Sequence, residues 1–261
     1  MVPFKILKLL FLLEVSVPLC TLVIPIYNEQ NRFSLSDFEI LLSQNDLILT
    51  VIDDGSSDLL AATLETAYGQ NSNFQLVKLT TNQGKAEAVR QGFLRAMVNK
   101  SEYIAVMDGD FSYSASEFLR FYSFIKSSNL DAISGVRTLS NSLQLILSFR
   151  LWQGIAFRYF INLVFSNSFR DIQCGLKVFK SEAISLQSIE KKFEDPWLYD
   201  LEILLRNKAR IHSYGELRIE FWEHKEASKL NLNHVPGILI NVFRLRHYFG
   251  TLTEIKRLYI H

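Results

Sequence analysis

The chain has 261 residues, 48% of them hydrophobic and 21% charged. That is enough apolar material to bury a sizeable core, and it excludes an intrinsically disordered chain. With 28 lysines and arginines against 27 acids, a net charge near +1 gives no basis for nucleic-acid binding.

The N-terminal stretch 1–17 joins Lys5 and Lys8 to an apolar run that Glu14 interrupts. It falls short of the ~20 apolar residues of a spanning helix, and cleavage after it would damage the first strand. It is read as an amphipathic or partly buried segment. Strands and helices then alternate. Leu19–Pro25 predicts a strand and Ser36–Gln44 a helix, with Ser36 and Glu39 spaced as a capping box. Leu47–Ile52, Phe74–Leu79, Tyr103–Met107 and Ala132–Val136 predict further strands. Ser57–Tyr68, Lys85–Asn99 and Ser114–Ser127 predict the helices between them, the last opening on Ser114 and Glu117. This alternation means βαβ units: an α/β fold with a mainly parallel sheet and helices on both faces. Ligands then bind beyond the carboxyl ends of the strands.

The second half differs. Leu143–Phe165 is long and almost wholly apolar, but it contains Arg150 and Arg158. An arginine at the centre of a bilayer costs ~2.5–3.5 kcal/mol, so an interfacial or partly buried helix is expected, its arginines reaching headgroups or another phosphate. Asp171–Phe179 predicts a strand, Leu198–Ala209 a helix, Glu216–Phe221 a strand and Val235–Phe249 a second amphipathic helix. One continuous domain over 1–261, with candidate membrane-interface helices at 143–165 and 235–249, is the economical reading. Cys20 and Cys174 are isolated, each in a short apolar run, and read as buried thiols.

The polar residues fall where the strands end. The first strand leads to Tyr27-Asn28-Glu29, the second to Asp53-Asp54-Gly55-Ser56, the third to Asn82-Gln83-Gly84-Lys85 and the fourth to Asp108-Gly109-Asp110. Two carboxylates either side of a glycine offer hard oxygen donors on one short turn, which suits Mg²⁺ or Mn²⁺ bridging a diphosphate. Asp54 can accept from a base or ribose, Tyr27 can stack on a base and Glu29 can bond it.

Val23-Ile-Pro-Ile-Tyr-Asn-Glu29, Val51-Ile-Asp-Asp-Gly-Ser-Ser-Asp58, Asn82-Gln-Gly-Lys85 and Asp108-Gly-Asp110 resemble, in order and spacing, the family 2 inverting glycosyltransferases of the GT-A fold. Asp171-Ile-Gln-Cys-Gly-Leu-Lys177, Trp197-Leu-Tyr-Asp200 and Trp222-Glu-His…Ser228-Lys229 resemble the dolichyl-phosphate glucosyltransferase branch, with dolichyl-phosphate mannose synthase as a close relative. The resemblance implies a nucleotide-sugar pocket lined by Pro25, Tyr27, Glu29, Ile52, Asp54, Asp108 and Gly109. It places a divalent metal on Asp110 with Asp108 beside it, and Asp171 close to the reacting centre, as a base or as an orienter of the acceptor. It puts Arg137, Lys177 and Lys229 at the phosphates. The implied partners are UDP-glucose first and GDP-mannose second as donor, a polyprenyl-phosphate acceptor, and the cytoplasmic surface of a membrane. The chain departs from the pattern in Ala227-Ser228-Lys229 for Gly-Ser-Lys, in Ser112 where mannose synthases have glutamine, and in its short apolar start where the glucosyltransferase branch usually has an anchor.

The competing readings are a family 2 enzyme with a non-lipid glycan acceptor and a catalytically silent nucleotide-sugar-binding protein. The Trp222…Lys229 segment and the amphipathic helices argue against the first, and the intact Asp108 and Asp110 against the second. A nucleotidyltransferase would carry a Gly-rich loop with a basic residue where Tyr27-Asn28-Glu29 stands.

Overall fold

A computed structural model describes residues 19–137, 149–223 and 235–260. The 1–17 segment, the 143–148 part of the long apolar stretch, and Lys229 lie outside the described residues.

The elements in chain order are β1 (Cys20–Ile26), α1 (Leu35–Leu42), β2 (Leu47–Asp53), α2 (Leu60–Tyr68), β3 (Phe74–Lys78), α3 (Lys85–Asn99), β4 (Tyr103–Val106), α4 (Ala115–Ser127) and β5 (Ala132–Val136). There follow α5 (Phe149–Phe165), β6 (Lys177–Lys180), a 3₁₀ turn (Ser181–Ala183), α6 (Leu186–Glu190), α7 (Tyr199–Asn207), β7 (Ser213–Arg218), α8 (Val235–Phe249) and β8 (Lys256–Ile260). The strands form one eight-stranded sheet in the order β3-β2-β1-β4-β6-β5-β7-β8. Every pairing is parallel except those of β6, which runs against both β4 and β5.

The period of two along each strand divides the core. In β1, Cys20, Leu22, Ile24 and Ile26 face α1, α2 and α4, while Val23 faces the side covered by α3 and α5–α8. On that second side α3 lies against β1 so closely that a Cβ on Gly92 would sit 2.1 Å from a Val23 methyl. The buried Glu87–Arg90 pair ties α3 to α6, because Arg90 also donates to the carbonyls of Ile189 and Glu190 at 3.0 Å. The expected α/β architecture is thus present, and α5 and α8 cover one face of the sheet.

Three local expectations need correction. Ser34, not Ser36, caps α1: its Oγ accepts from the Asp37 N–H at 3.3 Å and donates to the Asp37 carboxylate at 2.6 Å. The strand expected over Asp171–Phe179 begins only at Lys177, because the preceding residues form a loop pinned by side chains. The strand expected over Glu216–Phe221 runs over Ser213–Arg218, and the chain then turns to the Asp-x-Asp turn, where Trp222 bridges Tyr113. The edge strand β8, the 3₁₀ turn and α6 had no expected counterpart.

Candidate active site

The antiparallel β6 is what builds the site. Its first residue, Lys177, is in register with Val106 at the end of β4 and with Ser134 of β5, so the loop before it lies across the carboxyl ends of both. That loop meets the Asp108–Asp110 turn from above. A Cβ on Gly175 would lie 2.0 Å from an Asp108 carboxylate oxygen, so a larger residue there must displace the carboxylate or the loop. From the other side Gly109 backs onto β1, where a Cβ would lie 2.4 Å from the Pro25 carbonyl oxygen. The turn is further fixed by Phe111, which is buried with φ 51° and meets the Phe33 ring edge-on at 4.8 Å. Left-handed backbone is uncommon for an aromatic residue, and such strain persists only where surrounding contacts impose it.

Charges alternate across this surface. Lys85, at the start of α3, places its ammonium 2.5 Å from Asp108 Oδ1. Burial alone would raise the Asp108 pKa, but Lys85, with Lys177 and Arg137 behind it, holds the carboxyl below the usual aspartate range. Asp110 Oδ1 accepts from the Ser112 N–H at 3.0 Å and from its Oγ at 2.8 Å. Arg137, just after β5, makes a forked pair with Asp171, Nε to Oδ2 at 2.7 Å and Nη2 to Oδ1 at 2.9 Å. Beneath them Lys177, 1% exposed, pairs with Asp200 at 2.5 Å and donates to the Cys174 carbonyl. Burial first, and Asp171 second, push the Cys174 thiol up to about 11, consistent with an inert core position.

The nucleotide-side residues form a second group. Asp54, 3% exposed, accepts from the Gln83 and Gly84 N–H groups at 2.7 and 2.8 Å, so it fixes the loop that opens α3. Burial raises its pKa against the pull of these two bonds. Asp53 accepts from the Ser56 N–H at 2.9 Å. Asn28, at φ 52°, latches the loop after β1 to the loop after β2 through Ser56 and Ser57. Glu29 is buried and ion-paired with Arg32 at 2.5 Å, and Tyr27 is half-buried beside it. Pro25, the penultimate residue of β1, lies against Gly109.

Asp108, Gly109, Asp110, Asp171 and Arg137 therefore meet at one end of the sheet, with Pro25, Tyr27, Glu29 and Asp54 alongside. Ile52 is 0% exposed and its side chain lies in the core beneath α3. Lys177 lies below the surface, where it reaches Asp200 rather than open solvent. Sequence reasoning gave Lys85, Gly175 and Asp200 no individual role, although all three stand in the motifs that carry the resemblance, and it placed Glu216 only at the start of a strand. Glu216, 2% exposed, accepts from the Arg170 N–H at 2.7 Å and the Asp171 N–H at 3.3 Å.

Among the described residues no group of three or more His, Cys, Asp or Glu side chains is gathered for a metal. Two carboxylates on one turn nevertheless fit Mg²⁺ or Mn²⁺, since such ions are commonly held by one or two carboxylates plus substrate phosphates and water.

The sequence profile described as Glycosyl transferase family 2 matches residues 21–185, from β1 to beyond β6. The chain belongs to this family. It is a glycosyltransferase with the GT-A fold. It is 29% identical over 230 residues to a dolichyl-phosphate β-glucosyltransferase of Dictyostelium discoideum, covering 81% of this chain and 68% of that one. The human protein of the same name is 25% identical over 232 residues, covering 80% and 69%. An uncharacterised protein of Methanocaldococcus jannaschii is 28% identical over 218 residues, covering 78% and 89%. Among solved structures, glucosyl-3-phosphoglycerate synthase from Mycobacterium tuberculosis, in complex with Mn²⁺, UDP-glucose and phosphoglyceric acid, superimposes with a TM-score of 0.62 at 13% identity, covering 89% and 80%. That likeness speaks for the fold.

Proposed function

We propose that this family 2 enzyme moves a hexose, with inversion, from a nucleotide sugar to a polyprenyl phosphate at a membrane surface. UDP-glucose is the favoured donor and GDP-mannose the second. The observation that carries the reading is the convergence of an Asp-x-Asp turn with a forked Arg137–Asp171 pair, in a chain similar to dolichyl-phosphate β-glucosyltransferases over most of its length.

Asp108 and Asp110 would hold Mg²⁺ or Mn²⁺, which when bound offsets the charge on the departing nucleoside diphosphate. Tyr27, Glu29 and Asp54 would hold the nucleotide, Asp54 partly by fixing the Gln83–Gly84 amides. An acceptor phosphate is already ionised at neutral pH, so orientation matters more than proton removal. Arg137 would receive that phosphate. Both Asp171 oxygens already accept from Arg137, which favours Asp171 as the group that aims the guanidinium rather than as a base. Lys177 would act from below, through Asp200 and the Cys174 carbonyl. Lys229 remains a proposed phosphate ligand.

Membrane attachment would come from α5 and α8, whose Tyr159, Leu163, Ile240 and Phe243 are exposed. No described helix is long and apolar enough to cross a membrane. The enzyme would lie on the cytoplasmic leaflet as a peripheral protein.

The test is transfer of radiolabelled sugar from UDP-glucose, and separately from GDP-mannose, to a short polyprenyl phosphate, with Mn²⁺ or Mg²⁺ and with chelator. Metal-dependent, acid-labile lipid product that disappears in Asp110→Ala supports the reading and identifies the donor. No lipid product from folded protein that still binds a nucleotide sugar overturns the acceptor.

A further inference from the structure

The C-terminal end of α5 gathers arginines that the proposed transfer does not use. After Phe165 the chain turns through Ser166 at φ 51°. The Asn162 side chain brackets the turn, donating to the Phe169 carbonyl at 2.8 Å and accepting from the Phe169 N–H at 2.9 Å. Three guanidinium groups collect on the strip Ser168–Arg170 that this holds in place. Arg158 of α5 donates to the Arg170 carbonyl at 2.9 Å. Arg257 of β8 donates to Ser168 Oγ and lies 5.5 Å over the Phe169 ring. Arg170 lies 3.4 Å over the ring of Tyr259, two residues along the same strand.

Among the described residues, no carboxylate lies within 4.0 Å of any of the three guanidinium groups. Glu216 lies beneath the strip, but it is buried and accepts from backbone amides. Along the chain, residues 138–170 and 235–249 contain neither Asp nor Glu, and Asp171, next to Arg170, is taken up by Arg137. Beside the arginines, Tyr159 and Leu163 of α5 are 64% and 82% exposed. Three cations held by carbonyl, hydroxyl and ring faces, next to exposed apolar side chains, leave donors for an anion at the edge of a nonpolar phase.

We propose that Arg158, Arg170 and Arg257 form a site for the phosphate headgroups of anionic bilayer lipids, which gives the enzyme a preference for anionic membranes. The proposal rests on the membrane reading of α5 and α8, and it commits to bilayer headgroups rather than the acceptor's phosphate.

The experiment is sedimentation of the full chain with phosphatidylcholine vesicles, with and without phosphatidylserine, at low and high salt. Wild type is compared with Arg170→Gln and with the triple variant Arg158→Gln, Arg170→Gln, Arg257→Gln. Wild type should favour the phosphatidylserine vesicles, and salt should erase the preference. Each arginine removed should weaken binding to those vesicles about fivefold. Binding to neutral vesicles, and transfer to a short polyprenyl phosphate in detergent, should stay unchanged. The single variant keeps the test decisive if the triple variant does not fold. Wild type that binds both vesicle types equally overturns this proposal alone. Arginine variants that keep the phosphatidylserine preference, or that raise KM for the acceptor in detergent, also overturn it. Wild type that binds neither vesicle overturns the membrane reading with it.

Discussion

Asp171 takes the Arg137 side chain in a two-pronged grip, at 2.7 and 2.9 Å, and also accepts the Arg137 backbone N–H at 3.2 Å. One carboxylate thereby fixes the guanidinium plane at the end of β5. A lysine at 137 would keep the charge but lose the fork. Arg137→Lys is therefore expected to lower transfer about 10–100-fold, the kinetic equivalent of the ~1.5–3 kcal/mol carried by a charge-assisted hydrogen bond. The loss should appear mainly in the acceptor dependence, with donor KM little changed. Because the Arg137 side chain is 38% exposed, the pair adds little to stability, and the melting temperature should fall by less than about 4 °C. Steady-state kinetics with each substrate varied, alongside a thermal melt, checks both. A loss confined to the donor would remove Arg137 from the acceptor side.

Gly175 offers a test of the turn itself. Its missing Cβ leaves room for the Asp108 carboxylate, whose atoms would otherwise lie 2.0–2.6 Å away. Gly175→Ala must displace either the loop or Asp108. The expected cost is ~1–3 kcal/mol of stability from overpacking, and about 100-fold or more in transfer from the displaced carboxylate. Calorimetric titration with nucleotide sugar and Mn²⁺ should show weakened binding in a protein that still melts cooperatively. Unchanged binding and activity would mean that Asp108 has another position available to it.

These two contacts mark where sequence reasoning worked and where it stopped. Asp108, Asp110 and Asp54 were legible because each is part of a short motif at a strand end, and the rule for open α/β sheets says where strand ends converge. The cap of α1 was misplaced by two residues because Ser34 and Ser36 both fit an N-cap. Asp171–Leu176 looked like a strand because Ile172, Cys174 and Leu176 alternate with polar residues and a glycine. What makes it a loop is Arg137 and Glu216, 34 and 45 positions away from Asp171. The pairing of Lys85 with Asp108, and of Lys177 with Asp200, likewise depends on strand order, which no local pattern encodes. β8 escaped notice because Lys256 and Arg257 open an edge strand, where charge is tolerated.

Lys177 and Asp200 form the most deeply buried ion pair near the site, with side chains 1% and 7% exposed. Removing one partner leaves the other charge without compensation, at a cost of ~3–5 kcal/mol. Lys177→Met should therefore strongly destabilise the protein in urea denaturation. Lys177→Met combined with Asp200→Leu should recover a substantial part of that loss, because neither charge is then buried. Equal destabilisation by the single and double variants would show that the pair contributes through packing rather than charge.

Glu216 allows the sign of a pH effect to be tested. Burial raises its pKa above the ordinary glutamate value of 4.5, and the amides of Arg170 and Asp171, with the charges of Arg257 and Arg170, only partly oppose this. At pH below 4.5 the carboxyl is protonated in folded and unfolded chains alike, and its favourable contribution is fully present. As pH rises through the raised folded-state value, the folded protein must carry a buried charge that the unfolded chain holds in water, and the contribution is lost. Glutamine at 216 can still accept the amides and does not titrate, so comparison with Glu216→Gln isolates the effect. The melting temperature of wild type, relative to Glu216→Gln, should fall as pH is raised from the acidic side toward neutral and then level off. Melts of both proteins across that range decide the matter. A difference that is flat, or that grows in favour of wild type with rising pH, would mean that the amides and arginines around Glu216 outweigh its burial.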